Sequence, residues 1–307
     1  MAAPKFKASL LHPRFWPTWF GIGLMWLLCW LPVPWLIRLG EALGRLAGRL
    51  LKSRRYVVRR NLELCFPEIG PEPRERMVDA HFAALGAGIF EAGLAWFAPD
   101  WRLRKYGEVV GLEHLDAALK DGHGALLLTG HFTTLEIGAR FLCIAGRPFH
   151  AMYRPYANQL MDHYMHWWRE ARSGLPALPR EDLRRLVKAL REGRCIWYAP
   201  DQTLGANVSV FAPFFGVQTQ TITATARLAQ MGRARVVPYF PQRINGKYRV
   251  TFFPALENYP SGDEMADVIR VNQALEQGIR LAPEQYFWVH KRFKKQPPGS
   301  PKLYVRR

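Results

Sequence analysis

The stretch Gly124-Ala-Leu-Leu-Leu-Thr-Gly-His-Phe-Thr-Thr-Leu-Glu136 decides how this chain folds, because it runs from an apolar segment through a glycine to an ionisable pair. Ala125–Leu128 predicts a strand buried on both faces, since a short apolar run between glycines suits such a strand better than an amphipathic helix. Gly130 permits a sharp turn where this strand ends. After the turn, apolar residues recur every three to four positions from Phe132 to Leu142 and predict a helix.

His131 and Glu136 form the candidate catalytic pair of this stretch. In one continuous helix, residues five apart would point about 140° away from each other, whereas a turn at His131 lets its imidazole fold back toward the Glu136 carboxylate. A carboxylate that fixes the tautomer of the imidazole lets the histidine act as a general base, which removes the proton of a hydroxyl or thiol. The alternative is a histidine that caps the helix beside a solvated glutamate, and the spacing alone favours neither.

The composition describes a folded and strongly basic chain. Its 307 residues allow one large domain or two small ones, and 49% hydrophobic residues are ample for a core. The net charge of +18 indicates polyanionic surroundings, namely nucleic acid, anionic lipid headgroups or an acidic carrier protein. Eleven tryptophans, several of them near the N-terminus, are more typical of a protein at a membrane interface.

The cysteines indicate neither a disulfide framework nor a zinc site. Cys29, Cys65, Cys143 and Cys195 are widely scattered and form no C-x-x-C pair, so we interpret them as reduced, buried thiols. The sequence also contains no Walker loop and no G-x-G-x-x-G motif. We therefore expect neither a metal nor another cofactor.

The N-terminal region is predicted to contact a membrane. Residues 15–37 contain no charged side chain, and this run is long enough for a span of about 20 residues. Pro17, Pro32 and Pro34 would kink or shorten such a helix, and its tryptophans resemble interfacial anchors. Residues 1–38 are therefore predicted to be a membrane anchor, either a single span or a shallow monotopic insertion.

A basic amphipathic helix is predicted over residues 39–61, directly after the anchor. By the positive-inside rule, its cations place the body of the protein in the cytoplasm. Gly40, Gly44 and Gly48 would allow another backbone to approach closely, but we prefer a basic helix that lies on the anionic leaflet. The cations at and after the anchor's end are Arg38, Arg45, Arg49, Lys52, Arg54, Arg55, Arg59 and Arg60.

In the rest of the chain, predicted β-strands alternate with predicted α-helices. This alternation predicts an α/β fold with a mixed, largely parallel sheet covered by helices, preceded by the N-terminal membrane-anchoring helix. Residues 39–307 would form a single domain with a flexible tail near 297–301. Sites in such sheets lie beyond the carboxyl ends of strands, where His131, Arg154 and Asp201 fall. Strands are predicted at 125–128, 149–153, 194–199, 234–240 and 247–254, and helices at 132–142, 158–172, 181–191, 220–231 and 262–281.

The turn motif resembles a known enzyme family. Thr129-Gly-His-Phe-Thr-Thr-Leu-Glu136 resembles the His-x4-Asp/Glu motif of glycerolipid acyltransferases, in the form used by the late lipid A acyltransferases of Gram-negative bacteria. The resemblance extends over nearly the whole chain in the family's order. The further segments that carry it are residues 61–67, 153–155, 197–201, 211–215 and 285–293.

This resemblance implies an inner-membrane enzyme whose catalytic domain lies on the cytoplasmic side. It would move a fatty acyl chain of C12–C14 from acyl carrier protein onto a hydroxyacyl chain of a lipid A precursor, so its partners would be these two molecules and the anionic membrane. His131 would be the base and Glu136 its partner, with Arg169 as a further catalytic residue. The residues expected to contact substrate are Arg154, Asp201 and Thr133.

The sequence departs from the family pattern directly after Asp201. Gln202-Thr-Leu-Gly205 stands where the family more usually has His/Gln-Asp-Tyr-Gly. The resemblance therefore implies no role for a second acidic residue at this place, and it does not fix the acceptor preference.

Other functions stay open on the residues alone. One alternative is an acyltransferase for another acceptor, such as a lysophospholipid or a glycolipid. Another is a metal hydrolase that uses Asp162, His163 and His166, with His131 as a further ligand. A basic binding module for membrane or nucleic acid would explain the charge but not the turn with His131 and Glu136, so we expect no nucleic-acid partner. The oligomeric state is not predicted.

Overall fold

A computed structural model gives the structure of residues 6–202 and 209–305, so residues 203–205 of the departing segment lie outside the described part of the chain. The α-helices are α1 (Trp16–Leu28), α2 (Val33–Leu50), α3 (Lys52–Cys65), α4 (Pro71–Phe97), α5 (Asp100–Leu103), α6 (Leu112–Leu119), α7 (Leu135–Ile144), α8 (Gln159–Ser173), α9 (Leu183–Arg191), α10 (Ala224–Gly232) and α11 (Glu264–Leu281). The strands are β1 (Gly107–Val110), β2 (Ala125–Leu128), β3 (Phe149–Tyr153), β4 (Leu178–Pro179), β5 (Cys195–Tyr198), β6 (Ser209–Phe214), β7 (Val217–Ile222), β8 (Arg235–Ile244) and β9 (Lys247–Phe252).

The central sheet is mixed and largely parallel. In the described ranges, seven strands form it in the order β1-β9-β8-β2-β5-β3-β4. β2 lies in the middle and pairs in parallel with both β5 and β8, while β9 pairs antiparallel to β8. The predicted α/β fold with a helix-covered, largely parallel sheet is therefore confirmed.

Each face of the sheet carries its own hydrophobic core. Side chains alternate between the two faces of a strand, so Leu126 and Leu128 pack with α9 and α11 on one face. Ala125 and Leu127 pack with α4 and α7 on the other. Because all four β2 side chains are buried, the strand is fixed in the centre of the fold, and the turn that follows it has a fixed position.

A hairpin of β6 and β7 lies outside the central sheet, and its strands pair antiparallel. The helix predicted at 220–231 is wrong in its first part, since β7 continues to Ile222 and α10 begins at Ala224. Thr219 and Thr221 explain the difference, because β-branched side chains favour extended backbone. Both threonines are buried.

The uncharged N-terminal run does not form one helix. α1 ends at Leu28 and α2 begins at Val33, directly after Pro32. The 13 residues of α1 are about 20 Å long, which is shorter than the roughly 30 Å core of a bilayer. The expected single membrane-anchoring helix over residues 15–37 is therefore wrong in its geometry. In the described part of the chain, α4 is the helix long and apolar enough to cross a membrane. Of its most apolar stretch of 18 residues, 61% is buried inside the protein.

The predicted basic helix is also divided, because α2 ends at Leu50 and α3 begins at Lys52. The glycines of α2 face α4. A Cβ at Gly40 would lie 2.8 Å from the Ala87 Cα, and one at Gly48 would lie 2.6 Å from the Phe82 ring. The two backbones therefore approach closely, and this glycine face packs inside the protein. The opposite face of α2 exposes the large apolar side chains Trp35, Leu39, Leu43, Leu46 and Leu50.

The C-terminal segment lies against α3. The Arg60 Nε donates to the Leu303 carbonyl at 3.0 Å, and the Tyr304 hydroxyl donates to the Asn61 Oδ1 at 2.5 Å. The Asn61 side chain also donates to the carbonyls of Trp288 and His290. These bonds connect the tail, α3 and the 285–293 segment that borders the site.

Candidate active site

His131 lies in the turn that follows the central strand. β2 ends at Leu128, and α7 begins only at Leu135, so His131 is outside the helix as predicted. Gly130 leaves room for the packing around this turn, because a Cβ there would lie 3.0 Å from the Tyr286 ring and 3.4 Å from the Asp201 Oδ2. The His131 carbonyl accepts a hydrogen bond from the Phe287 N–H at 2.9 Å.

Asp201 is the carboxylate bonded to His131. One oxygen, Oδ1, lies 2.5 Å from the His131 Nδ1, and the other accepts the His131 backbone N–H at 2.8 Å. The register of the sheet explains this contact: Leu128 of β2 pairs with Tyr198 of β5, and each catalytic candidate follows its strand end by three residues. Parallel neighbouring strands end at the same edge, so the two side chains meet.

The electrostatics of this pair favour an ionised acid and a basic imidazole. Burial by itself would raise the pKa of Asp201, but the charge and hydrogen bonds of His131, with a hydrogen bond from Tyr286, hold that pKa well below its usual range. Burial likewise lowers the pKa of His131, and attraction to Asp201 overcomes this effect and raises it. With Nδ1 directed at Asp201, Nε2 is the ring nitrogen available to a substrate proton.

Glu136 has other partners than the one expected from the sequence. Its Oε1 accepts the Arg169 guanidinium at 2.5 Å, and its Oε2 accepts the Trp96 Nε1–H at 3.2 Å. Glu136 is in the first turn of α7 as predicted, but there it faces α8 and α4. The expected bond between His131 and Glu136 is therefore wrong, because Asp201 already occupies the Nδ1 side of the imidazole.

Arg169 belongs to α8 and is tied to Glu136 rather than to the histidine. Both residues line a small cavity of about 50 Å³, where the Trp96 and Trp168 rings stack at 4.7 Å between centroids. Burial would lower the pKa of Arg169, and the charge of Glu136 raises it, so the pair is ionic. Arg169 is not among the residues that line the cavity of His131.

The two remaining substrate-contact candidates lie in different places. Thr133 follows the turn, its N–H donates to the Gln285 carbonyl at 2.7 Å, and its buried Oγ1 has no hydrogen-bond partner in the described residues. Arg154 follows β3 and is exposed. It lies close enough to Glu181 to lower the pKa of that carboxyl, after the larger effect of the Arg180 hydrogen bond. The structure thus brings Thr133, but not Arg154, to the groove of His131.

An open groove of about 810 Å³ runs from α2 and α4 to the His131 turn. Glu136 and Leu135 line both this groove and the small cavity of Arg169, so they form the wall between them. The imidazole side chain is 31% exposed, whereas that of Asp201 is 2% exposed. A histidine supported by a buried acid, at the end of an apolar groove, is suited to deprotonate the hydroxyl of an amphiphile. The apolar side chains of the groove include Leu43, Leu51, Phe82, Leu85, Ile89, Phe90, Phe132 and Phe287.

Sequence reasoning did not assign the residues behind the pair. Tyr286 donates to Asp201, and the buried Arg292 donates to the Gln220 carbonyl at 2.8 Å and to the Thr221 Oγ1 at 3.0 Å. His290 borders the same small pocket as Asp201. Their segment, 285–293, carries part of the resemblance to the family, but nothing in its spacing indicates contact with a strand end 70 residues or more away.

The described residues give no support to a metal centre, since no three His, Cys, Asp or Glu side chains among them are grouped as metal ligands. His166 instead stacks on Tyr153 with ring centroids 5.3 Å apart, and His163 contacts the Phe6 ring edge-on. These two histidines therefore have aromatic packing partners.

Comparison with known proteins agrees with this geometry. The model of the family described as bacterial lipid A biosynthesis acyltransferase matches residues 3–295. Similar curated proteins of Escherichia coli K12 include a lipid A biosynthesis lauroyltransferase, 44% identical over 98% of this chain and 99% of the relative. A palmitoleoyltransferase is 40% identical over 98% of both chains, and a myristoyltransferase is 31% identical over 99% of this chain and 95% of the relative. The chain therefore belongs to the bacterial lipid A biosynthesis acyltransferase family and is an acyltransferase.

Proposed function

We propose that this enzyme transfers a fatty acyl chain from acyl carrier protein to a hydroxyl on a hydroxyacyl chain of a lipid A precursor. His131 is the general base in this proposal, and Asp201, rather than Glu136, orients it. The observation that carries the proposal is the bond of 2.5 Å between the His131 Nδ1 and the buried Asp201, at the end of an apolar groove. Membership of the lipid A acyltransferase family supplies the class of acceptor.

The reaction balances with one proton that travels through His131. The acceptor hydroxyl gives its proton to the His131 Nε2 as its oxygen attacks the thioester carbonyl. The C–S bond then breaks, an ester forms, and His131 returns the proton to the departing thiolate. The Asp201 charge stabilises the imidazolium between these steps, and base catalysis of this kind contributes about 10²- to 10⁴-fold to the rate.

Glu136 and Arg169 serve the reaction indirectly in this proposal. Their ion pair joins the first turn of α7 to α8, and Glu136 is part of the groove wall. The pair therefore holds the wall beside His131 in place. The negative charge that develops on the thioester oxygen requires hydrogen-bond donors, and we assign this role to backbone amides of the turn rather than to Arg169, which is bonded to Glu136.

The proposed location is the cytoplasmic side of the inner membrane. Residues 16–50 expose a series of large apolar side chains, and the cations Arg38 and Arg45 lie among them in the sequence. A bilayer interface would cover these side chains and attract the cations. Since α1 is too short to span, we propose a shallow insertion of both helices. The exposed apolar residues are Trp16, Phe20, Leu24, Trp26, Leu27, Trp30, Leu31, Trp35, Leu39, Leu43, Leu46 and Leu50.

The proposed donor rests on the charge of the chain, and the proposed acyl chain length rests on the relatives. The net charge of +18 suits an acidic carrier protein. Relatives include proteins named for lauroyl and myristoyl transfer, which correspond to the C12–C14 chain that we propose. A relative named for palmitoleoyl transfer marks the longer alternative, so a competition between donors is needed to decide the length.

The test is mass spectrometry of the products made by detergent-solubilised enzyme. Purified protein is given acyl carrier proteins that bear a mixture of chain lengths, together with a tetra-acylated lipid A precursor. We expect the unaltered enzyme to add one acyl chain of C12–C14, and we expect no product above background from His131→Ala. The mass added to the precursor identifies the chain.

Two outcomes would contradict the proposal. Equal product from the unaltered enzyme and His131→Ala would remove His131 as the base. Acylation of an added lysophospholipid, with none of the lipid A precursor, would show that the acceptor is wrong while the acyltransferase activity stands. Circular dichroism of both proteins provides the control for folding.

A further inference from the structure

The His131 groove contains one permanent cation. Among the described residues that line it, Arg54 is the only lysine or arginine. Glu136 lines the groove as well, but its charge is matched by Arg169, which belongs to the small cavity behind it. His131 is similarly matched by Asp201. The guanidinium of Arg54 is therefore the charge of this groove that has no counter-charge.

The neighbouring arginines of Arg54 on the same helix are paired with carboxylates. Arg55 donates to Asp79 at 2.6 Å and to Glu75 at 2.9 Å, and Arg59 donates to Glu75 at 3.0 Å. Arg54, by contrast, makes only a long contact of 3.5 Å to the Val289 carbonyl within the described residues, and no carboxylate there pairs with it. The paired arginines join α3 to α4, so they have a structural role that Arg54 lacks.

Arg54 and the His131 turn both contact the segment 287–289. Phe287 donates its N–H to the His131 carbonyl at 2.9 Å, and Arg54 contacts the carbonyl of Val289, two residues further along. Burial is the main cause that lowers the pKa of His290 in this segment, and the charges of Arg292, His131 and Arg54 act in the same direction. The guanidinium is thus within electrostatic range of the pocket behind the base.

The groove is amphipathic along its length. Leu43, Ile89 and Phe90 line its apolar part between α2 and α4, and its polar side chains include Arg54 and His131. An amphiphile would place hydrocarbon on the apolar part and its anionic group beside Arg54. A guanidinium binds phosphate by paired hydrogen bonds, which makes arginine the preferred residue for this group.

We propose that Arg54 binds a phosphate group of a substrate and so positions the reacting group at His131. This inference rests on the proposed function. Two sources share the chemistry, namely a phosphate of the acceptor glycolipid and the phosphate of the donor's phosphopantetheine arm. Arg54 is a positioning residue in this proposal, since it contacts substrate away from the reacting atoms.

The experiment compares Arg54→Gln with Arg49→Gln, which removes an exposed cation of α2 that does not line the groove. Equilibrium binding to each detergent-solubilised protein is measured with two matched pairs of probes. The first pair is a tetra-acylated lipid A precursor with its phosphates and the same lipid after phosphatase treatment. The second is an acyl-phosphopantetheine and the acyl-pantetheine without phosphate. Melting temperatures control for folding.

We expect Arg54→Gln to raise the Kd of one phosphorylated probe by about 10- to 100-fold, the range for a hydrogen bond to a charged group, and Arg49→Gln to change it by less than about twofold. The dephosphorylated partner of that probe should bind all three proteins equally. If Arg54→Gln loses affinity only for the phosphorylated lipid, Arg54 binds the acceptor phosphate. If it loses affinity only for the acyl-phosphopantetheine, Arg54 binds the donor phosphate. Both results support the proposal.

Equal Kd values for Arg54→Gln and Arg49→Gln with both phosphorylated probes would overturn the proposal. So would a loss of affinity in Arg54→Gln that is the same for the phosphorylated and the dephosphorylated probe. Acyl transfer by the unaltered enzyme is recorded separately. If the unaltered enzyme binds the phosphorylated probes through Arg54 but forms no acylated product, the proposed reaction fails while the phosphate site stands.

Discussion

Two charge pairs lie near the turn that follows the central strand, one at the His131 groove and one at the small cavity beside it. The distance between the His131 Nδ1 and the Asp201 Oδ1 is 2.5 Å, and so is the distance between the Arg169 guanidinium and the Glu136 Oε1. The first pair joins a 31% exposed imidazole to a 2% exposed acid, whereas the side chains of the second are both about one-fifth exposed. The lengths of these contacts are equal, so length does not distinguish the proposed catalytic pair from the structural one.

The difference lies in which partner can change its charge. An imidazole gains and loses a proton near neutral pH, and its second nitrogen stays available when the first is bonded to Asp201. A guanidinium stays charged, and its partner Glu136 is bonded to it and to Trp96. The first pair can therefore move a proton, while the second can only hold two helices together.

The largest expected effect comes from removing the acid of the first pair. Asp201→Asn should lower kcat by about 10²- to 10⁴-fold, since His131 loses its orientation and the support for its imidazolium. The base must be neutral, so the rate rises as pH increases through the pKa of His131, which Asp201 raises. In Asp201→Asn this rise should begin at lower pH. Measurement of kcat against pH tests both statements.

The matched variant for this measurement is Glu136→Gln. Because Glu136 is not bonded to His131, its loss should leave the midpoint of the pH–rate profile where it is in the unaltered enzyme. A shift of that midpoint in Glu136→Gln, with none in Asp201→Asn, would reverse the assignment of the two carboxylates.

The next effect, on stability, comes from breaking the second pair. Glu136→Gln leaves the guanidinium of Arg169 largely buried without a counter-charge, which should lower the free energy of unfolding by about 1–3 kcal/mol. The double variant Glu136→Gln with Arg169→Met should be less destabilised than the sum of the two single changes. Urea denaturation of the three variants measures this coupling, and strict additivity would show that the pair contributes nothing.

The smallest expected effect is a loss of stability in Asp201→Asn that depends on pH. The pKa of Asp201 is lowered in the folded protein, so its contribution is present above the usual aspartate pKa and is lost as pH falls through the folded value. The pKa of His131 is raised, so its contribution is complete below the usual histidine pKa and is lost as pH rises through the folded value.

The first pair therefore stabilises most between about pH 4 and pH 6.5. In this window Asp201→Asn should reduce the free energy of unfolding by about 1 kcal/mol more than it does at about pH 9. Glu136→Gln should show no such window, since the Arg169 charge does not titrate. Urea denaturation at both pH values tests the contrast, and equal differences for Asp201→Asn at the two pH values would argue against it.

Much of the site was predictable because its signals are local. The apolar run of β2, the glycine after it and the helix that follows are adjacent in sequence, so their order predicts a turn that carries His131. The position of Glu136 in the first turn of α7 follows from the same local pattern. The motifs that resemble the family are likewise linear, and the matched family confirms that part of the prediction.

The errors arose where the deciding contacts join distant parts of the chain. The glycines of α2 were interpreted as part of a surface helix, but their positions depend on α4. The run of residues 15–37 is a different case, since it satisfies the length for a span but contains the local signal that divides it. α1 ends at Leu28 and α2 begins directly after Pro32.

The sequence by itself determined that a histidine follows a buried strand in an α/β fold, since strand, turn and helix propensities act over a few residues, and its linear motifs indicated the acyltransferase family by resemblance. Only the tertiary structure decided which acid supports that histidine. Glu136 is five residues away in sequence, yet the parallel pairing of Leu128 with Tyr198 brings Asp201 to the imidazole. Sheet register is set by packing across the whole core, so no local pattern in the sequence contains it.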